Sequence, residues 1–259
     1  MNVNVKKIAQ ELFDAEKGRF QITMPTVSYP SMTAEDAYAV QLENIARKVS
    51  AGEHIIGMKI GLTSKAMQNL LHVNEPDYGH LTDKMLLSEG ENCPINELIQ
   101  PKAEGELAFC LKKALKGPAV TIADVYNATG WVVPAIEIVD SRIKDWKITL
   151  LDTIADNGSS ARFVLGGKMT PIAQVDMRLT GMTLEKNGEL VNSGTCAEVW
   201  GNPAAAVAWL ANKLSEFNIE LKEGDIVMAG ALTAAQPVVR GDSITVSFHG
   251  MGSVTVAFQ

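Results

Sequence analysis

From His54 to the C-terminus the chain repeatedly alternates apolar and polar residues with a period of two. No other feature limits its possible folds as strongly, because that spacing describes half-buried strands, whose successive side chains point to opposite faces. HIIGMKI sets Ile56, Met58 and Ile60 on one face and Ile55, Gly57 and Lys59 on the other. EGELAFCL, VVPAIEIVD, RFVLGG, MRLTGMTLEKNG, DIVMAGAL, DSITVSFHG and GSVTVAF read as further strands, with Asn187-Gly188 as a hairpin turn. The strands do not alternate regularly with helices, which disfavours a doubly wound parallel sheet.

The N-terminal region is helical instead. Residues 4–17 carry Val5, Ile8, Ala9 and Leu12 at helical spacing, and a Pro-containing loop, MPTVSYPSM, follows. Thr33, with Asp36 three residues on, predicts a capped helix start. Tyr38, Leu42, Ile45 and Val49 make one apolar stripe that Gly52 closes. A short helix is expected after Thr63, then a loop carrying NEPDYGHLTDKM. A last helix is expected from Asn202-Pro203 through Val207, Leu210, Ala211 and Leu214 to about Phe217. The expected fold is α+β: a helical N-terminal arm over 1–53 and a catalytic domain over 54–259 built on a mixed, rolled or barrel-like sheet.

Composition closes off other classes. A net charge of −7 argues against a nucleic-acid binder, whose footprint is a basic face. No apolar run reaches the length of a membrane span, and the first residues lack a signal peptide's apolar core. Cys93, Cys110 and Cys196 are scattered and odd in number, which reads as reduced cytosolic thiols. His54, His72, His80 and His249 are equally scattered, so a histidine metal cage is not expected, and carboxylates and lysines are left to carry any chemistry.

Glu104 and Glu106 point the same way if EGELAFCL is a strand, beside Ala108 and Cys110. Alone they would be a solvated face. Glu137, however, lies between Ile136 and Ile138 in a very apolar strand, where an unpaired charge is expensive. Three carboxylates without thiolate or imidazole suit a hard cation, Mg²⁺ or Mn²⁺. Lys59 interrupts an apolar strand. It reads either as an edge lysine lying along the sheet or as a partly desolvated lysine of depressed pKa that carries protons. Asp77 in EPDYG is by itself a turn acid, and the polar run from Ala155 to Arg162 is either loop chemistry or a source of contacts to an acid substrate. His249-Gly-Met-Gly lies between strands rather than at a helix start, so its glycines read as a tight turn and not a dinucleotide fingerprint.

In this order, IIGMKIGLTSKAMQ, NEPDYGHLTDKM, LIQPKAEGELAF, VVPAIEIVDSRIKDWK, DTIADNGSSARFVLGG, NPAAAVAWLANKL and GMGSVTVAF resemble the hydratase/decarboxylase branch of the fumarylacetoacetate hydrolase superfamily, over nearly the whole chain. The resemblance implies a mixed β-roll with a helical extension, and Mg²⁺ or Mn²⁺ held at Glu104, Glu106 and Glu137. It also implies a proton-carrying Lys59, an acid at Asp77 and a substrate-side Ser160. Members of this branch are similar to one another in starting from an α-keto acid on the metal. Hydratases then add water to 2-hydroxypenta-2,4-dienoate, and oxalocrotonate decarboxylases remove CO₂ from 2-oxohex-3-enedioate, both in catechol meta-cleavage.

The residues that separate the two activities disagree. Asp77 looks like the hydratases, since the decarboxylases carry an apolar residue there, and KAEGE and SRIKDWK also lean that way. NGSSAR and Leu232-Thr-Ala-Ala lean towards decarboxylase, where Arg162 would pair with a diacid's second carboxylate. The stretch from Thr195 to Asn202 departs from the pattern, and Glu198 and Trp200 there are candidates for reshaping a pocket wall. The reading taken is the hydratase, with the decarboxylase as the alternative. A third reading is an inactive partner that stabilises such an enzyme. The resemblance also implies a cytoplasmic homo-oligomer, in complex with the pathway's partner decarboxylase or hydratase in some members.

Overall fold

The computed structural model describes residues 3–64, 68, 73 and 75–259. Its helices are α1 (Val5–Gly18), α2 (Pro25–Ser28), α3 (Ala34–Ser50), α4 (Ile122–Ala128), α5 (Leu150–Ala155) and α6 (Pro203–Ser215). Local chemistry sets their starts. Thr33 and Asp36 form the expected reciprocal cap on α3, and Thr121/Asp124 and Thr149/Asp152 repeat it on α4 and α5. Asn202 caps α6, with Pro203 in its first turn.

The strands form two sheets. The larger has the order β2 (Asp77–Thr82), β1 (Ile55–Gly61), β11 (Ile226–Ala231), β5 (Lys102–Leu111), β6 (Thr129–Val139), β7 (Ser160–Leu165) and β3 (Leu86–Leu87). Two short strands join it off that path, β8 (Thr170–Pro171) on β6 and β12 (Gln236–Pro237) on β5. The smaller has the order β10 (Glu189–Thr195), β9 (Gly181–Lys186), β13 (Ser243–Phe248), β14 (Gly252–Phe258) and β4 (Asn92–Cys93). Most pairings are antiparallel, whereas β1/β11, β3/β7 and β4/β14 are parallel, so the curled sheet is mixed. Asn187 and Gly188 turn the β9–β10 hairpin with φ of 56° and 81°, as an Asn-Gly turn requires.

The two faces of the larger sheet have different tasks. Leu107, Phe109 and Leu111 point into the main core with Val207, Leu210 and Leu214 of α6. Gly105 is closed in on this side: a Cβ there would meet Met182 and Val246 of the smaller sheet at 3.1 Å. The opposite face carries Glu104 and Glu106, then a small apolar cluster containing Ala108, Ala135, Phe163 and Met228. The helical arm shares the main core, because Ile8, Leu12, Tyr38 and Val40 belong to it.

Several local expectations change. Of the stripe on α3, Tyr38 and Ile45 are buried, whereas Leu42 and Val49 are 44% and 45% exposed. The buried face is rotated to take in Ala37 and Gln41 beside them, and the Gln41 amide donates to the carbonyls of Tyr78 and Ile154 at 3.0 and 2.8 Å. The Pro-containing segment includes α2, started by Pro25, and DYGHLT, expected in a loop, is β2, buried throughout. The polar run before β7 begins inside α5, which was not foreseen. Lys59 is no edge residue, since β1 is flanked by β2 and β11. The helix expected after Thr63 lies outside the described residues.

Candidate active site

Strand register assembles the three carboxylates. Glu104 on β5 lies directly across from Glu137 on β6, and opposed residues share a face. Glu106, two residues along, shares that face, and its Oε2 accepts a 2.9 Å hydrogen bond from the Gly230 amide of β11. One oxygen from each glutamate lies within 4.8 Å of the others. Glu137 and Glu106 are buried, and both oxygens of Glu137 lack a hydrogen-bond partner among the described residues.

Lys59 and Asp77 complete the cluster. Lys59 Nζ is 3.5 Å from Glu137 Oε2 and donates to the Gly158 carbonyl at 3.0 Å. Asp77 pairs in register with Gly61, two residues beyond Lys59 on the same face of β1. Gly61 has to be glycine here: a Cβ would stand 2.1 Å from Asp77 Oδ1 and 3.4 Å from Lys59 Nζ, so both groups converge over its bare Cα. Both residues are buried, and Asp77 Oδ1 finds no hydrogen-bond partner among the described residues.

The charge balance explains the titration behaviour. Burial, then repulsion from Glu137, pushes Glu104 up to about 7 and Glu106 well above the ordinary carboxylate range. Burial also raises Asp77, against the opposing pull of Lys59. For Lys59 the expected sign is wrong. Burial does oppose its charge, but Glu137, Asp77, Glu104 and Glu106 together outweigh it and hold the pKa above the ordinary lysine value. Carboxylates crowded and orphaned in this way, with oxygen the only donor type, fit a hard dication such as Mg²⁺ or Mn²⁺.

Ser160 and Arg162 part company. A bulge between Ile138 and Val139 sets Ser160 opposite Val139, two residues beyond Glu137 on one strand face. Its buried hydroxyl has no hydrogen-bond partner among the described residues. Arg162 lies opposite Ile138 and so on the other face, where its guanidinium donates to Glu97 Oε2 at 2.8 Å and to the Ala161 carbonyl. The structure does not bring Arg162 to the glutamates, because strand alternation turns it away.

A family model for the fumarylacetoacetate (FAA) hydrolase C-terminal region matches residues 44–259. The chain belongs to the fumarylacetoacetate hydrolase family. Within it, the chain is 45% identical over 251 residues to a 2-hydroxyhexa-2,4-dienoate hydratase of Comamonas testosteroni, covering 96% of this chain and 95% of that one. It is 50% identical over 216 residues to a 2-hydroxypent-2,4-dienoate hydratase of Pseudomonas putida, covering 83% and 97%. A solved 4-oxalocrotonate decarboxylase from Pseudomonas putida G7, complexed with magnesium and adipate, superposes with a TM-score of 0.96 at 40% identity, covering 98% and 97%. The protein is thus a lyase of the hydratase/decarboxylase branch, with the curled sheet and N-terminal helices of its family.

For this family member the structure adds residues that sequence reasoning left out. A cavity of about 470 Å³ opens onto Glu104 and Glu106, with Ile60, Leu62, Leu232 and Glu198 in its wall. Glu198 therefore does shape a pocket wall, whereas Trp200 packs edge-on against Trp209, ring centroids 6.2 Å apart. Behind the cluster, Arg142 and Asp156 form a buried ion pair, and Arg142 also donates to the carbonyls of Asp140 and Ser160. An arginine in SRIKDWK gives no local hint of burial; only the fold, which brings Asp156 and the Asp140 and Ser160 carbonyls around it, creates it. The three cysteines are free and buried, and among the described residues no helix is long and apolar enough to cross a membrane.

Proposed function

We propose that this enzyme adds water to 2-hydroxypenta-2,4-dienoate, giving 4-hydroxy-2-oxopentanoate, in the breakdown of aromatic ring-cleavage products. The observation that carries the reading is the buried Asp77 meeting Lys59 over Gly61. Decarboxylation needs no base for water, because CO₂ departs and leaves its electron pair on the substrate. Hydration needs a proton taken from water and one given to carbon, and an acid–base pair serves both. Engagement of Arg162 with Glu97 on the other face also removes the cation that would have read a second carboxylate. The relatives named as 2-hydroxypent-2,4-dienoate and 2-hydroxyhexa-2,4-dienoate hydratases support the same reading.

Glu104, Glu106 and Glu137 would hold Mg²⁺ or Mn²⁺, which supplies Lewis-acid polarisation of the substrate's 2-oxo and carboxylate oxygens. The Lys59 ammonium, tethered to the Gly158 carbonyl, gives a proton to C5 as the 2-hydroxyl loses its own, converting the dienol to the 2-oxo-3-enoate. Asp77 takes up the hydroxyl proton and returns it to Lys59. Water then adds with its oxygen to C4 as Asp77 takes its proton, and Lys59 gives a proton to C3. The unpartnered Ser160 hydroxyl donates to a carboxylate oxygen of the substrate.

The test is direct. Purified protein with Mg²⁺ is given the dienol, followed by its ultraviolet absorbance, and separately 2-oxohex-3-enedioate, followed by CO₂ release. Loss of dienol absorbance without CO₂ release is the expected result. CO₂ release with no hydration would establish the decarboxylase instead.

A further inference from the structure

The segment between α5 and β7 has a backbone that its connecting role does not require. Asn157, Gly158 and Ser159 are three successive left-handed residues, with φ of 55°, 61° and 55°. Two of them carry side chains, and such residues seldom adopt this conformation unless the surroundings hold them there. The holding groups are visible. The Asn157 amide clasps one residue of β2 from both sides: its Nδ2 donates to the His80 carbonyl at 3.0 Å and its Oδ1 accepts from the His80 amide at 2.8 Å. The far end is pinned by the Asp140 amide, which donates to the Ser159 carbonyl at 2.7 Å, and by the Ser159 amide, which donates to the Asp156 carbonyl at 2.9 Å.

This arrangement points the Gly158 carbonyl at Lys59 Nζ, 3.0 Å away. The segment also lies hard against the lysine. A Cβ on Gly158 would stand 3.1 Å from Lys59 Cδ and 3.2 Å from Nζ, and a Cβ on Gly79 would stand 2.5 Å from the Asn157 carbonyl oxygen. Lys59 thus has a neutral acceptor at Gly158 and a charged neighbour at Glu137, which together fix where its remaining N–H bonds point.

We propose that Asn157 is a positioning residue: its clasp on His80 holds the left-handed turn whose Gly158 carbonyl aims Lys59. The proposal rests on Lys59 being the proton carrier. Asn157 reaches no reacting atom. A residue needed only to join α5 to β7 would affect stability. A residue that aims Lys59 affects proton transfer at unchanged substrate affinity.

The test uses Asn157→Gly, which keeps the left-handed backbone and loses the amide, and Asn157→Ala, both in the Mg²⁺-loaded full chain. Three readouts are taken: kcat and KM for the dienol, oxalate binding by calorimetry, and exchange of the C3 protons of 2-oxopentanoate in D₂O by NMR. This saturated acid cannot be hydrated. Its C3–H bond breaks to give the enolate as the proton passes to Lys59 while Lys59 passes one of its own to Asp77, and a deuteron from solvent returns by the same route.

Both variants are expected to lose about 100-fold in kcat and in exchange rate, the order that a misplacement of about 1 Å produces, with KM and oxalate affinity within about threefold. Unchanged kcat and exchange in Asn157→Gly would overturn the proposal. So would parallel loss of oxalate binding and turnover, which marks a collapsed site, and so would absence of exchange in the wild-type chain, which removes Lys59 as carrier. Wild-type exchange without hydration would overturn only the hydratase reading, and Asn157 would then be judged on exchange alone.

Discussion

Metal binding should be a proton-releasing event, and the structure sets the amount. In the metal-free protein Glu104 titrates at about 7, so it is about half protonated at pH 7. Burial and repulsion from Glu137 and Glu104 hold Glu106 well above the ordinary carboxylate value as well. A dication requires both as carboxylates, so loading Mg²⁺ at pH 7 should expel at least the roughly 0.5 proton that Glu104 holds. The apparent affinity should rise with pH, by about tenfold per unit for each proton released. Calorimetric titration in buffers of different ionisation enthalpy reads the number directly, as the slope of observed heat against buffer heat. A slope near zero at pH 7, with affinity flat from pH 6 to 8, would refute the reasoning that burial and mutual repulsion keep these carboxyls protonated. The same shifts bear on stability. Glu104 is raised from 4.5 to about 7 in the fold, so its contribution is full below 4.5 and lost as pH rises through 7. That amounts to at most about 3 kcal/mol. The melting temperature of the metal-free chain should therefore fall between pH 5 and 8, and saturating Mg²⁺ should reverse the fall.

Other substitutions test the remaining assignments. Glu106→Gln should abolish Mg²⁺-dependent turnover while circular dichroism and melting show an intact fold, because a neutral amide of the same size replaces a proposed ligand whose carboxyl burial already disfavours charging; full activity in chelator would contradict the metal site. Asp77→Asn should lower the hydration kcat by about 100-fold at unchanged Mg²⁺ affinity, since the range for general acid–base groups is about 10²–10⁴. Arg142→Ala leaves Asp156 buried and unpaired and should cost about 3–5 kcal/mol in denaturant unfolding. Arg162→Ala removes only a partly exposed pair with Glu97, so stability should change by less than about 1 kcal/mol and kcat/KM by less than about twofold.

Much of the molecule was legible before any coordinates. Period-two alternation located β1, β5, β6, β7, β9, β11, β13 and β14, and the Thr33 and Asn202 caps located α3 and α6, since these signals are local. The stretch PDYGHLT was not legible as β2. Its glycine, proline and aspartate read as turn chemistry, and it is a strand only because β1 supplies its ladder and Gln41 binds its carbonyl. Glu137 was legible because a carboxylate between two isoleucines is anomalous on any fold. Asn157 was not, since an asparagine before glycine is ordinary loop sequence until its partner, 77 residues away, is seen to be His80.

The division follows from range. The sequence by itself determined residue types, strand faces and helix starts, which depend on neighbours a few positions apart. That was enough to set three glutamates, a lysine and an aspartate in a family pattern. Tertiary structure decided what depends on distant segments: that Glu104 faces Glu137 across a strand pair, that alternation turns Arg162 away, and that Lys59 is surrounded by carboxylates. The last reversed the direction of its pKa. Burial alone lowers a lysine, whereas the field of four acids brought together by folding raises it.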